Sequence, residues 1–281
     1  MSVNLLSAMS RQVHNHRFIE TAETAWDEAA VIHKQYRYNE LLEGFKRPGF
    51  VSMPEVRRQI LLEHGVAGKS AFQPCCNNGR DILSLKNLGA THCFGFDIST
   101  EFINQGKAFA EAGNIECELI QADVFELDNS RDGLFDIGLI SLGTMMWMPD
   151  LTAFFAIMKR LLRRDGWIFI HELHPLTEIF KFNANKNRIV INGSYFDRTP
   201  QRRTTGLDYY SGKTYDATPC YSFRHKVSDV IEAMVQNGLA IETFKECEED
   251  MSSGVFKRAQ PVKFPVPRSY TITAISHSGN R

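Results

Sequence analysis

"SAFQPCCNNGRDILSLKNLGATHCFGFDIST", residues 70–100, decides the fold. A short apolar run, SAFQPCC, meets a cluster of small and polar residues and a glycine. A helix-like segment, GRDILSLKNLG, follows, and then a second apolar run, HCFGFDI. Strand, turn, helix and strand in that order make a βαβ unit, whose two strands lie parallel. Such a unit places ligands at the carboxyl ends of its strands, beside the first turn.

The same alternation continues outward. STEFINQGKAFAEAG reads as a helix capped by Ser99 or Thr100, and IECELIQADV and FDIGLISLG read as strands. DLTAFFAIMKRLLRRDG is an amphipathic helix closed by Gly166, and WIFIHEL is a fifth strand. HKVSDVIEAMVQNGLAIETFKE is a helix, a stop at Gly238 and a strand, and SYTITAIS is a last strand. The expected architecture is an α/β, doubly wound, mostly parallel seven-stranded sheet. The helical stretch at 1–66 is expected to form an N-terminal lid on a domain at 67–281. Between 176 and 224 lie about fifty residues without clear periodicity, too long for a plain connection and expected to cover the site.

Composition narrows the function. The chain has 281 residues, a net charge of -1, 43% hydrophobic and 23% charged residues, all ordinary for a globular protein. The balanced charge gives no electrostatic case for nucleic acid or an anionic membrane. No run reaches the roughly 18 apolar residues of a membrane span, and the N-terminus lacks a secretory signal, so a cytoplasmic protein is expected. The cysteines, Cys75, Cys76, Cys93, Cys117, Cys220 and Cys247, form no C-x-x-C pair. They read as small, reduced packing residues, with no metal site.

The turn is poor for a pyrophosphate: QPCCNNG holds one glycine where a dinucleotide fingerprint needs three. Asparagine tolerates left-handed backbone, so Asn77 or Asn78 can stand where glycine usually does. Asp97 ends the second strand about twenty residues on, where a carboxylate takes ribose hydroxyls. Asp123, in IQADVF, ends the third strand, where an acceptor meets an adenine amine. Together they suit an adenosine ligand without a pyrophosphate. HELHP, 171–175, ends the fifth strand. Alternation puts Glu172 and His174 on one face and His171 on the other. The first pair are candidates for a base; the bland reading is that they fix the loop after Pro175.

From Ala71 to Pro175 the sequence resembles the class I S-adenosylmethionine-dependent methyltransferases, in their small-molecule, type 11-like branch. The first motif of that family runs acid-x-Gly-x-Gly-x-Gly. Here Gln73 replaces the acid, Cys75 and Asn77 replace two glycines, and Gly79 remains. GFDIS resembles the ribose motif, QADVFEL the adenine motif, FDIGLISLGTMMWMPDL the fourth-strand motif, and LLRRDGWIFIHELHP the turn and fifth strand. The resemblance implies S-adenosyl-L-methionine as cofactor and S-adenosyl-L-homocysteine as product. It implies a cofactor site of Gln73, Cys75, Asn78, Gly79, Asp97, Ile98, Asp123, Val124, Leu142 and, from the lid, Tyr38. Trp147, Tyr195, Arg198, Tyr210 and His225 are candidates for a substrate wall, with Arg202 and Arg203 able to hold an anion. The implied activity is methyl transfer to an O, N or C nucleophile of a small molecule, in secondary metabolism, with a possible homodimer. The competing readings are a binding protein of this fold without catalysis, a nucleic-acid or protein methyltransferase, and a dinucleotide oxidoreductase.

Overall fold

In the computed structural model, residues 18–248 and 266–277 are described. Seven strands form the central sheet: β1 (Ala71–Pro74), β2 (Cys93–Asp97), β3 (Glu118–Gln121), β4 (Phe135–Ile140), β5 (Leu162–Leu173), β10 (Leu239–Cys247) and β11 (Ser269–Ser276). Their order is β10-β11-β5-β4-β1-β2-β3. Neighbours from β3 to β5 pair in parallel, and β11 alone runs against both of its neighbours. The order reverses at β1, which lies between β2 and β4. A crevice opens at such a reversal, beyond the carboxyl ends of the strands.

Alternation along the strands sorts the core into two layers. Phe72, Phe94 and Phe96 point to one face, against α5 (Leu151–Leu161) and α6 (Val227–Gln236). Ala71, Cys93 and Phe169 point to the other, against α2 (Glu55–His64), α3 (Arg80–Asn87) and Ile103 of α4 (Thr100–Ala112). Helix α2 therefore belongs to a layer of the sheet: Leu61 packs in that cluster, and Arg57, 1% exposed, ion-pairs with Asp81 of α3. Of the stretch expected as a lid, residues 1–17 lie outside the described residues, and α1 (Ala22–Phe45) packs on α4.

Helix α1 lies across the N-terminus of α4. Asp27 accepts from Ser99 Oγ at 2.6 Å and from the Glu101 N–H at 3.0 Å, and Gln105 donates to the Ala30 carbonyl at 3.0 Å. The stretch 176–224 forms two small ribbons, β6 (Phe180–Asn183) with β7 (Arg188–Ile191) and β8 (Gln201–Arg203) with β9 (Cys220–Ser222). It is tied to α1 by Glu28, which accepts from the Thr218 N–H and hydroxyl, and by His33, whose Nε2 meets the Leu207 carbonyl at 3.0 Å.

One boundary differs from the sequence reading. The helix expected to close at Gly166 ends at Leu161, and β5 starts at Leu162. Leu162 pairs with Phe135 and Trp167 with Ile137, so residues 163–166 bulge, with Asp165 at φ +60°. Leu162 already has extended backbone, at φ -70° and ψ 137°, which ends the helix one residue earlier.

Candidate active site

The turn after β1 carries three left-handed residues at alternate positions: Cys75 (φ 48°), Asn77 (φ 53°) and Gly79 (φ 67°). Asparagine enters this region readily; a cysteine is held there at a cost. The restraint comes from β2. The Asn77 N–H donates to Asp97 Oδ2 at 2.7 Å, and the Cys76 N–H donates to the Phe96 carbonyl at 3.0 Å. Helix α4 comes close because Gly106 has no side chain: a Cβ there would lie 3.0 Å from the Asn78 carbonyl oxygen.

Asp97 is buried, and its Oδ1 accepts from the Ser99 N–H at 2.9 Å. Burial raises its pKa to about 6 against the pull of the backbone bonds from Ser99 and Asn77. A carboxylate has about four lone-pair sites, so these contacts leave it able to accept more. Asp123 caps the short turn after β3 by accepting from the Phe125 N–H at 2.9 Å. Burial, with the nearby carboxylates of Asp97, Asp123 and Glu172, pushes the Cys75 thiol well above its usual range. It stays a neutral thiol at neutral pH, not a nucleophile.

These groups open on one cavity of about 540 Å³, a size usual for small-molecule sites. Its floor is the carboxyl edge of the sheet: Cys75, Cys76 and Asn77 after β1, Asp97 and Ile98 after β2, Asp123 and Val124 after β3, and Ser141 to Thr144 after β4. Its roof comes from the lid and the 176–224 stretch, with Phe18, Trp26, Arg203, Leu207, Tyr209 and Tyr221. Trp147 stands between, edge-on to Trp26 with ring centroids 5.0 Å apart.

Beside the turn, several buried polar atoms lack a partner among the described residues: Gln73 Oε1, Asn78 Oδ1 and Asp81 Oδ1. Gln73 spends its amide on Ser141 Oγ at 3.0 Å, and Asp81 spends its other oxygen on Arg57. Asp81 and Arg80 both line the cavity.

Glu172 and His174 lie elsewhere. They line a separate chamber of about 30 Å³, room for about one water, with Glu178, Arg224, His225 and Tyr270. The Glu172 carboxylate accepts from the N–H groups of Gly143, Met145 (3.0 Å) and Leu173 (2.7 Å). Burial raises its pKa against those bonds. His174 Nδ1 accepts from the Leu176 N–H at 3.2 Å, so its proton is on Nε2, 3.1 Å from Glu246. Burial lowers its pKa, opposed by Glu246. His225 Nε2 donates to the Met148 carbonyl at 2.8 Å.

The cavity thus gathers Cys75, Asp97, Ile98, Asp123, Val124, Leu142 and Trp147 from the residues expected at the site. Gln73, Asn78 and Gly79 stand behind its wall, in the strand and turn that shape it. Four others are placed away from it. Tyr38 packs on Phe109, centroids 5.1 Å apart, in a cluster with Leu41 and Phe45. Tyr210 stacks on Tyr36, Tyr195 accepts from the Val227 N–H, and Arg198 ion-pairs with Asp229 at 2.7 Å. Trp26, Leu207 and Tyr221 entered no expectation; they sit in segments without periodicity or on a helix whose inward face the sequence does not mark.

Residues 73–170 match the family model described as a methyltransferase domain. The fold is that of known S-adenosylmethionine-dependent methyltransferase structures. One from Mesorhizobium loti is 19% identical, with a TM-score of 0.59 over 78% of this chain and 95% of its own. Another from Listeria monocytogenes, a putative enzyme by its description, is 14% identical, with a TM-score of 0.58 over 86% and 98%. The geranyl diphosphate C-methyltransferase of Streptomyces coelicolor, solved with Mg²⁺, geranyl diphosphate and S-adenosyl-L-homocysteine, is 14% identical, with a TM-score of 0.55 over 79% and 78%. No curated protein matches by sequence. Among the described residues no helix is long and apolar enough to cross a membrane, and no group of three or more His, Cys, Asp or Glu is placed to hold a metal ion.

Proposed function

We propose that this chain binds S-adenosyl-L-methionine in the large cavity and transfers its methyl group to a small-molecule acceptor. The observation that carries this reading is Asp97: a buried carboxylate at the end of β2, bonded to the turn after β1 and facing the crevice where the strand order reverses. Asp97 would take the ribose hydroxyls and Asp123 the adenine amine. One orphaned acceptor fits the other end of the ligand. Asp81 Oδ1 would receive an ammonium, and Arg80 would meet a carboxylate. The cofactor supplies a sulfonium-bound methyl primed for attack. The chain supplies position and dryness: the turn and Asp97 fix one partner, and the aromatic roof excludes water.

Glu172 reads best as a positioning residue. Its oxygens accept from the backbone N–H groups of Gly143, Met145 and Leu173, and it lines the small chamber and not the large cavity. A base on the chain is needed only where the nucleophile must lose a proton. The cytoplasmic, secondary-metabolic setting rests on the cysteine usage and the resemblance of the sequence.

Calorimetric titration with S-adenosyl-L-methionine and S-adenosyl-L-homocysteine tests the site. Micromolar binding that is lost in Asp97→Ala is expected; no binding of either ligand to the intact chain would sink the proposal. A second reading, binding without turnover, is favoured by the side chain of Cys75 standing where the family motif has glycine. Release of S-adenosyl-L-homocysteine in the presence of an acceptor mixture separates the two.

A further inference from the structure

The roof half of the cavity has its own chemistry. Trp26 and Trp147 meet edge to face, and Phe18 meets Tyr221 in the same way at 5.1 Å. Leu207 and Met146 complete an apolar wall. One cation stands in it. The Arg203 guanidinium lies 5.7 Å from the centre of the Trp147 ring, and its Nε donates to Ser222 Oγ at 2.7 Å. Ser222 is itself buried in β9, so it fixes the near end of the fork and leaves the two terminal nitrogens for another acceptor. No carboxylate among the described residues lies within ion-pair distance of Arg203. Glu178, an acid in its field, pairs with Arg224 at 3.5 Å. Asp208 on the same roof is taken up by the Tyr210 and Ser211 N–H groups of its own turn.

The floor carries the opposite sign, with Asp97 and Asp123. Arg80 also lines the cavity, but as the first residue of α3, at the turn. A molecule with one negative end is therefore sorted along the cavity: its anion is repelled from the strand ends and drawn to the roof.

Resting on the methyl-transfer reading, we infer that the acceptor is a flat aromatic or conjugated carboxylate. Its ring lies against the Trp26–Trp147 pair, its carboxylate meets the Arg203 fork, and its far end points to the turn after β1. The planar fork matches a carboxylate at two oxygens, and the tryptophan faces match a planar body. Arg198, five residues earlier, takes no part, being exposed and paired with Asp229.

The test is calorimetry with 2-naphthoate and its neutral counterpart 2-naphthamide, with and without saturating S-adenosyl-L-homocysteine. The intact protein is expected to favour naphthoate by roughly tenfold or more, the worth of a charged hydrogen bond. Arg203→Gln should erase the preference, Arg203→Lys should keep part of it, and Arg198→Gln should leave it whole. Equal binding of the two probes, no binding of either, or a preference that survives Arg203→Gln would overturn the inference. Retained S-adenosyl-L-homocysteine affinity shows that each variant is folded. Failure of that nucleoside to bind the intact protein would instead count against the methyl-transfer reading, and the naphthoate arm without it would still read Arg203.

Discussion

Asp97 carries two opposed pH effects. Its native pKa of about 6 lies above the ordinary carboxylate value, because burial outweighs the backbone bonds. Between about pH 4 and 6 the native state therefore holds more protons than the unfolded chain, and this residue's contribution to stability falls as pH rises through that window. On the proposed function ligand binding has the reverse sense: ribose hydroxyls would need the charged carboxylate. Affinity for S-adenosyl-L-homocysteine should climb from pH 5 to 7 and flatten in Asp97→Asn. Titration in two buffers of different ionisation enthalpy should show proton release near pH 6. Glu172 gives a contrasting case. In Glu172→Gln an amide replaces a carboxylate that accepts three backbone donors, so the 141–145 loop loosens. We expect a stability loss of about 1–3 kcal/mol in urea melts. The pH profile of any turnover should keep its shape; a lost limb would restore Glu172 as a base.

At the scale of elements, α2 is pinned to α3 by one buried ion pair, Arg57 with Asp81. Arg57→Ala strands a buried carboxylate and should cost about 3–5 kcal/mol, measured by chemical denaturation. The lid helix responds to acid. Burial lowers the pKa of His33 to about 4, as it does for His171 under the sheet. Between pH 4 and 6.5 the unfolded chain takes up these protons first, so stability rises with pH across that window, opposite to Asp97. His33→Gln should flatten the acid limb of a thermal stability profile.

The sheet strands and the acids that end them were legible, because alternation and strand-end position are properties of short segments. The left-handed turn was legible too: Asn77 and Gly79 can take positive φ, although Cys75 at φ 48° is a cost that only the packed turn explains. The roof was not. Arg198 and Arg203 are alike in a stretch without periodicity, and only the fold turns one to Asp229 and the other to the cavity. Helix α1 hid its inward face similarly: Trp26 and Tyr38 are twelve residues apart, about 120° around the helix, so they could not share the cavity.

In the whole molecule, the cavity is closed by contacts distant in sequence. Glu28 of α1 accepts from both groups of Thr218. Glu28→Ala should speed release of S-adenosyl-L-homocysteine several-fold in stopped flow, with a smaller change in stability, since the lid and not the sheet is loosened.

The placement of β11 has its own outcome. Among the described residues it follows every other strand, yet it enters between β5 and β10, bonded to both along its length. During synthesis those two strands must wait with facing edges unpaired until the last one is made. Tyr270, Ile272 and Ala274 then close one apolar layer from within. The ribosome thus finishes the interior of this protein after its periphery, and until that moment two open strand edges are exposed to mispairing with other chains.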